Sequence, residues 1–218
     1  MTREPGLQPE PKPDHLERVA ALCLDALEPA TELDWSVPAR DLEWSCRRTL
    51  DHLPDVMLFY ATHLASRATS RQPSTRDGNP HHTVPELLDL SAAAAHVLAD
   101  VARAAPVDAR GFHPAGMADA SGFIAMACTE WLVHTSDILT GLGCDFGPAP
   151  DLVDPVLARI FPWAPTDIPD RWAVFRYETG RAPLGDRPRR DANWYWHCAP
   201  LSEWDGTVKR RTKPPGWM

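Results

Sequence analysis

Between Ala120 and Leu142 the chain runs through 23 residues, and the only carboxylate or imidazole side chains among them are Glu130, His134 and Asp137. Their spacing, i, i+4 and i+7, puts all three within roughly a 60° arc of an α-helix. The rest of the segment is too apolar for a solvated surface, so it predicts a buried helix with one polar stripe. Burying such groups costs several kcal/mol unless they pair or bind a cation. Two readings are open at this point: a self-satisfied polar cluster inside a helix bundle, or part of a metal site.

A second helix offers a further ligand. The stretch from Asp41 to Ser70 follows Pro38, reads as amphipathic, and carries His52 among Leu50, Leu53, Val56, Met57, Phe59 and Tyr60. A lone histidine on such a face is ordinarily a satisfied core residue. Beside an E-x-x-x-H stripe on another buried helix it becomes a candidate ligand. One carboxylate and two imidazoles suit zinc or another first-row divalent ion, and leave positions for water or substrate, as catalysis requires.

The whole-chain features narrow the class. At 218 residues the chain can bury a substantial core as one domain with a smaller appendage. Its net charge of −8 lacks the electrostatic footprint of a nucleic-acid binder. The opening MTREPGLQPEPKPDHLERV has no apolar signal core, and the 120–142 segment has acidic residues at its middle, so neither secretion nor membrane insertion is expected and the cytoplasm is. Cys23, Cys46, Cys128, Cys144 and Cys198 are odd in number, widely spaced and free of C-x-x-C, which reads as reduced thiols.

The remaining punctuation divides the chain. Residues 1–13 are Pro-rich and read as a loose leader. A helix is expected from Asp14, as its N-cap, to about Pro29, followed by a connector with Trp35 and the 41–70 helix. The run RATSRQPSTRDGNPHH reads as a mobile loop, Val84–Ala104 as a third helix with Pro85 in its first turn, and Gly111, Pro114 and Gly116 as loop formers. A fourth helix runs to about Thr140 and closes on G-L-G. The expectation is a mainly α protein, with a four-helix bundle over 14–145. Residues 146–218 hold six of the nine Trp and the cluster Arg187, Arg189 and Arg190, and read as a small, partly irregular cap packed on the bundle. Short helices are expected over Asp151–Phe161 and Ile168–Thr179, and short strands or irregular packing in NWYWHCAP and GTVKRR. Most of the Trp would cover the core, and the cap's aromatic and arginine content offers a wall over the site.

The segment W-S-C-R-R-T-L-D-H, Trp44 to His52, resembles the W-[ST]-x-x-x-x-x-x-H signature of the DinB and maleylpyruvate isomerase N-terminal superfamily. The segment E-W-L-V-H-T-S-D, Glu130 to Asp137, resembles its later E-x-x-x-H-x-x-D motif. Order and separation match as well, and the resemblance covers roughly residues 14 to 145. The closest branch looks like the actinobacterial, mycothiol-dependent maleylpyruvate isomerase-like proteins.

That resemblance implies an up-down-down-up, DinB-like four-helix bundle holding a divalent metal, zinc or nickel, through His52, Glu130 and His134. Many DinB relatives use three histidines; this chain resembles the branch with Glu in the middle. Asp137 matches the trailing Asp, as a group supporting a ligand or packing the helix. The implied activity is a mycothiol-dependent S-transferase or isomerase, in which the metal activates the thiolate of a low-molecular-weight thiol for addition to a small electrophilic substrate. The same ligands would also serve a metal-hydroxide hydrolase of a small amide or ester, and a bundle without activity would serve as a binding or scaffold protein. The resemblance makes a homodimer plausible.

Other residues carry weaker signals. His63 shares a helix face with His52 but lies some 16 Å along the axis, too far for one ion. His81 and His82 precede a helix in the loop, and His96 sits in an alanine-rich helix. Arg176 and Arg181 could bind a carboxylate or the thiol cofactor through bidentate contacts, or make surface ion pairs. No G-x-S-x-G, Walker A, G-x-G-x-x-G or H-E-x-x-H pattern occurs.

Overall fold

The computed structural model describes residues 10–76, 78 and 80–213. The leader expected over 1–13 falls largely outside them, as does Trp217.

Helix α1, Pro13–Leu27, buries Leu16, Val19, Ala20, Cys23 and Leu27, the one-face spacing that predicts it. Its N-cap is Lys12, two residues earlier than the cap expected at Asp14. Pro13 explains the shift: its fixed φ and missing N–H suit the first helical position, which leaves Asp14 in the first turn. A 3₁₀ turn over Glu28–Ala30 follows, and Trp35 is buried with its indole N–H donating to Ala30 O at 2.9 Å.

Helix α2, Cys46–Ala65, is shorter than the 41–70 expectation at both ends. At its start the chain folds back on itself, with the Ala39 N–H bonded to Trp44 O and Arg40 at φ 53°, before Ser45 Oγ caps the Arg48 N–H at 3.1 Å. At its end Arg67, at φ 48°, turns the chain out of the helix. Helix α3, Val84–Ala104, matches its expected bounds and starts in a reciprocal capping box between Thr83 and Glu86. The following loop contains a hairpin the sequence does not announce, β1 Gly111–His113 paired antiparallel with β2 Gly116–Ala118.

Helix α4, Ala120–Gly141, is capped by Asp119 and buried on almost every side. In the bundle α1 packs on α3 and α4, and α2 packs on the same pair, so α1 and α2 sit diagonally. Helix α5, Pro150–Ile160, covers a further side of α4, and α6, Arg171–Glu178, packs on α5. Residues 179–213 are mainly irregular, with isolated bridges such as Trp194 to Arg210. Arg159 of α5, fully buried, bonds to Asp119 and to Ser121 Oγ and so ties the cap to the start of α4. Among the described residues no helix is long and apolar enough to cross a membrane.

Small residues on α4 let backbone approach backbone. A Cβ on Gly122 would lie 2.2 Å from Cys198 O, and one on Gly141 2.3 Å from Pro38 O. Gly122→Ala is therefore expected to push the 194–198 segment off the bundle and to cost about 1–3 kcal/mol in urea unfolding. An unchanged midpoint would show that this approach is not tight.

Candidate metal centre

The rigid stripe of α4 places Glu130 and His134 one turn apart, and α2 brings His52 across to them. His134 Nε2 lies 3.0 Å from Glu130 Oε2, and His52 Nε2 lies 3.8 Å from the same oxygen. The two imidazole rings meet edge to face, with centroids 5.3 Å apart. One ligand atom from each of the three residues falls within 4.8 Å of the others. A tetrahedral ion with bonds near 2.0–2.1 Å needs donors about 3.3 Å apart, so sub-ångström adjustments close the set around a cation. Two imidazole nitrogens and one carboxylate oxygen thus fit a first-row divalent ion in chemistry as well as in spacing.

The surrounding groups fix the orientation of each donor. Tyr60, two turns after His52 on α2, donates its hydroxyl to Glu130 Oε1 at 3.2 Å and leaves Oε2 to the histidines. Beneath the cluster, His134 Nδ1 is buried without a hydrogen-bond partner and faces Asp137 Oδ2 at 3.7 Å. Asp137 is itself fully buried and gripped by Arg181, whose Nη2 donates to Oδ2 at 2.7 Å and whose Nε donates to Oδ1 at 3.1 Å. Arg181 also donates to Thr179 O at 2.8 Å, which anchors it in the C-terminal cap. A carboxylate behind Nδ1 favours the tautomer that leaves Nε2 as the ligand atom.

Charge is balanced by proximity. Burial pushes the Glu130 carboxyl up, but hydrogen bonds from His134 and His52 outweigh it and hold the group well below the usual carboxylate range. Burial pulls His134 down, and Asp137 and Glu130 on its two sides outweigh that and raise it. The raised His134 and the buried Arg181 are the two positive partners of Glu130 and Asp137, and a divalent cation bound between His52, Glu130 and His134 would compete with the His134 proton.

A cavity of about 310 Å³ opens onto this cluster. His52 and Glu130 line it, while His134 is sealed beneath. Val56, Phe59 and Tyr60 from α2, the hairpin residues His113 and Pro114, and Tyr195 and Trp196 from the cap form its walls, with Arg71, Asp55, Ser74 and Arg211 also bordering it. The expected aromatic and arginine wall is therefore Tyr195, Trp196 and Arg211, while Trp194 and Trp196 also bury into the core.

The weaker candidates lie elsewhere. His63 is buried, with Nδ1 2.8 Å from Phe59 O and Nε2 accepting the Gln72 N–H, and it anchors the 66–83 loop. His82 meets Arg47 through its carbonyl oxygen, His81 is exposed, and His96 is exposed beside Glu17. Arg176 lies over the Trp172 ring. Arg181, expected at a ligand or at the surface, instead makes the buried pair with Asp137. Arg187 is exposed, Arg189 pairs with Asp41, and Arg190 pairs with Glu178. His113 is a cavity residue that the sequence does not flag, because it sits in a strand of three residues, too short for an alternating pattern.

No curated protein and no solved structure matches the chain. The family model of the DinB superfamily matches residues 15–138, a span that begins in α1, ends in α4 and includes His52, Glu130, His134 and Asp137. With a mainly helical bundle of that extent and both motifs in place, the chain belongs to the DinB superfamily.

Proposed function

We propose that the protein is a metal-dependent S-transferase or isomerase, in which a low-molecular-weight thiol such as mycothiol adds to a small electrophile. The observation that carries this reading is the convergence of His52, Glu130 and His134 at the inner end of a small cavity, with two of the three open to it. A zinc or nickel ion held there would supply Lewis acidity, lowering the pKa of a thiol and polarising a carbonyl oxygen.

The chain's own residues hold and shape the site. Tyr60 and Asp137 keep Glu130 and His134 aimed inward, so little reorganisation is needed on binding. Val56, Phe59 and Trp196 supply apolar walls that exclude water from a bound electrophile. None of the five cysteines borders the cavity, and burial pushes Cys23 and Cys198 up to about 12 and Cys46 to about 11. The nucleophilic sulfur therefore has to come from a co-substrate. The likeness of the 44–52 and 130–137 segments to the mycothiol-dependent branch supports that choice.

The test is a panel of small electrophiles incubated with zinc- or nickel-loaded protein, with and without mycothiol, and analysed by mass spectrometry. Thiol-dependent conversion that falls by at least about 100-fold in Glu130→Ala supports the reading. Conversion of an ester or amide without thiol would replace it with hydrolysis, and no conversion in any arm would leave a binding protein.

A further inference from the structure

A second cavity, of about 840 Å³, lies in the C-terminal cap and shares no lining residue with the metal cavity. Its walls come mainly from α5, the 161–169 connection and the segment with Leu201 and Trp204, and every lining residue falls outside the 15–138 span that matches the family. Pro155, Leu157, Phe161 and Ile168, with Leu201 and Trp204, make most of that surface apolar.

One buried donor is left over at this cavity. Arg159 lines it, and the Arg159 side chain is fully buried. A guanidinium presents Nε and Nη2 on one edge of a rigid fork. That edge is taken: Nε donates to Ser121 Oγ at 2.6 Å, and Nη2 donates to Asp119 and to Cys198 O at 3.4 Å. Asp119 and Ser121 sit at the start of α4, which contributes nothing to the cavity wall, so the fork leaves Nη1 on the side away from that helix. Nη1 is buried and has no hydrogen-bond partner among the described residues. Buried donors are almost always paired, so an unpaired one beside an apolar cavity calls for an acceptor that a ligand would bring.

Charge decides which acceptor. The Arg159 cation is already matched by Asp119, and Glu10 Oε1 lies 4.0 Å from its Nε. Arg171 is held by Asp154 and by the carbonyl oxygens of Pro165 and Ile168. Asp167 adds a carboxylate at the exposed rim. Among the lining residues carboxylates outnumber guanidinium groups, so the cavity disfavours an anion.

We propose that this cavity is a second ligand site, for a neutral, largely apolar small molecule whose carbonyl oxygen accepts the Nη1–H of Arg159. Its volume lies in the upper part of the range for small-molecule pockets, well above the 310 Å³ at the metal centre. The site stands independently of the function proposed above, because it uses none of the metal cavity's residues.

The test is a fluorescence titration of the full-length protein with prodan, a neutral naphthyl ketone whose emission shifts to the blue in apolar surroundings. Prodan is expected to bind saturably with a Kd of about 10 μM or tighter, and at least about tenfold more tightly than its carboxylate counterpart, 6-dimethylamino-2-naphthoate. Ala158→Trp, at a half-buried lining position, fills the cavity and is expected to weaken prodan by at least about tenfold. Val56→Trp narrows the metal cavity instead and is expected to leave prodan binding unchanged. Arg159→Lys is expected to cost prodan about fivefold, and to cost nothing for the analogue with propyl in place of the propionyl group. Urea unfolding of the same sample shows whether that variant folds; Ala158→Trp and the naphthoate comparison do not depend on it. No saturable prodan binding, naphthoate binding as tight as prodan's, unchanged affinity in Ala158→Trp, or an equal loss in Val56→Trp overturns the site. Equal losses of the two neutral probes in folded Arg159→Lys overturn the role of Nη1.

Discussion

Untagged wild-type protein is expected to carry about one divalent ion per chain by elemental mass spectrometry, and Glu130→Ala and His52→Ala are expected to carry almost none. Glu130 supplies the only anionic donor of the three, and its loss also strands two imidazoles that now share one carboxylate oxygen. Removing a group that merely supports a ligand costs about 10–100-fold in metal affinity, so removing a ligand should cost about 100-fold or more. Tyr60→Phe, which frees Glu130 Oε1 but keeps the ligand, belongs in the smaller class at about tenfold. Stability gives an independent readout. Metal at a thousandfold excess over its Kd should stabilise the wild type by about 4 kcal/mol and leave Glu130→Ala unmoved. Metal-free wild type whose melting is unaffected by zinc or nickel would return the cluster to a self-satisfied polar stripe.

The fold was legible where one physical signal dominated. Helix α3 matches its expected bounds because Thr83, Pro85 and Glu86 are all start signals and the stretch ahead has no competing break. Helix α2 is shorter than its pattern suggests because Leu42 and Trp44 extend the apolar run into a loop that tertiary packing folds back, and because Arg67 in a left-handed conformation has no sequence signature. The hairpin escaped because its register depends on contacts such as the Phe112 N–H to Ala68 O bond, which link distant segments.

The same distinction holds in the site. Glu130, His134 and Asp137 share one helix, so their spacing alone placed them on one face. His52 needed the packing of α2 on α4, which the paired motifs suggested but periodicity could not establish. His113, Tyr195, Trp196 and Arg211 reach the cavity from the hairpin and from irregular chain, where neighbouring residues say nothing about direction. Asp137 is the instructive intermediate case. The sequence offers it as a support for a ligand or for packing, and in the structure it faces His134 Nδ1 at 3.7 Å and is gripped by Arg181, a residue 44 positions away.

Breaking that pair should be among the costliest single changes in the protein. Asp137→Ala leaves the Arg181 guanidinium buried without its carboxylate, and loss of one partner from a buried pair typically costs about 3–5 kcal/mol. A double replacement, Asp137→Leu with Arg181→Met, removes both charges and should recover much of that loss in urea unfolding, because the desolvation cost of both ions disappears as well. The pH dependence follows from the same contact. Burial pushes Asp137 up, but the Arg181 charge, the neighbouring His134 and the Arg181 hydrogen bonds together outweigh it and lower the carboxyl from 3.8 to about 2. A depressed carboxyl contributes stability that is fully present above its unfolded value and is lost as pH falls through its folded one. Between pH 3.8 and about 2 the wild type should therefore lose about 2 kcal/mol that the double variant does not lose. The metal centre supplies the discriminating readout: without Asp137 behind its Nδ1, His134 loses its fixed orientation, and zinc affinity should fall about 10–100-fold in both variants even where the double variant has regained its stability. An Asp137→Ala protein that unfolds within about 1 kcal/mol of wild type and binds zinc equally well would show that the pair neither holds the cap to the bundle nor orients the histidine.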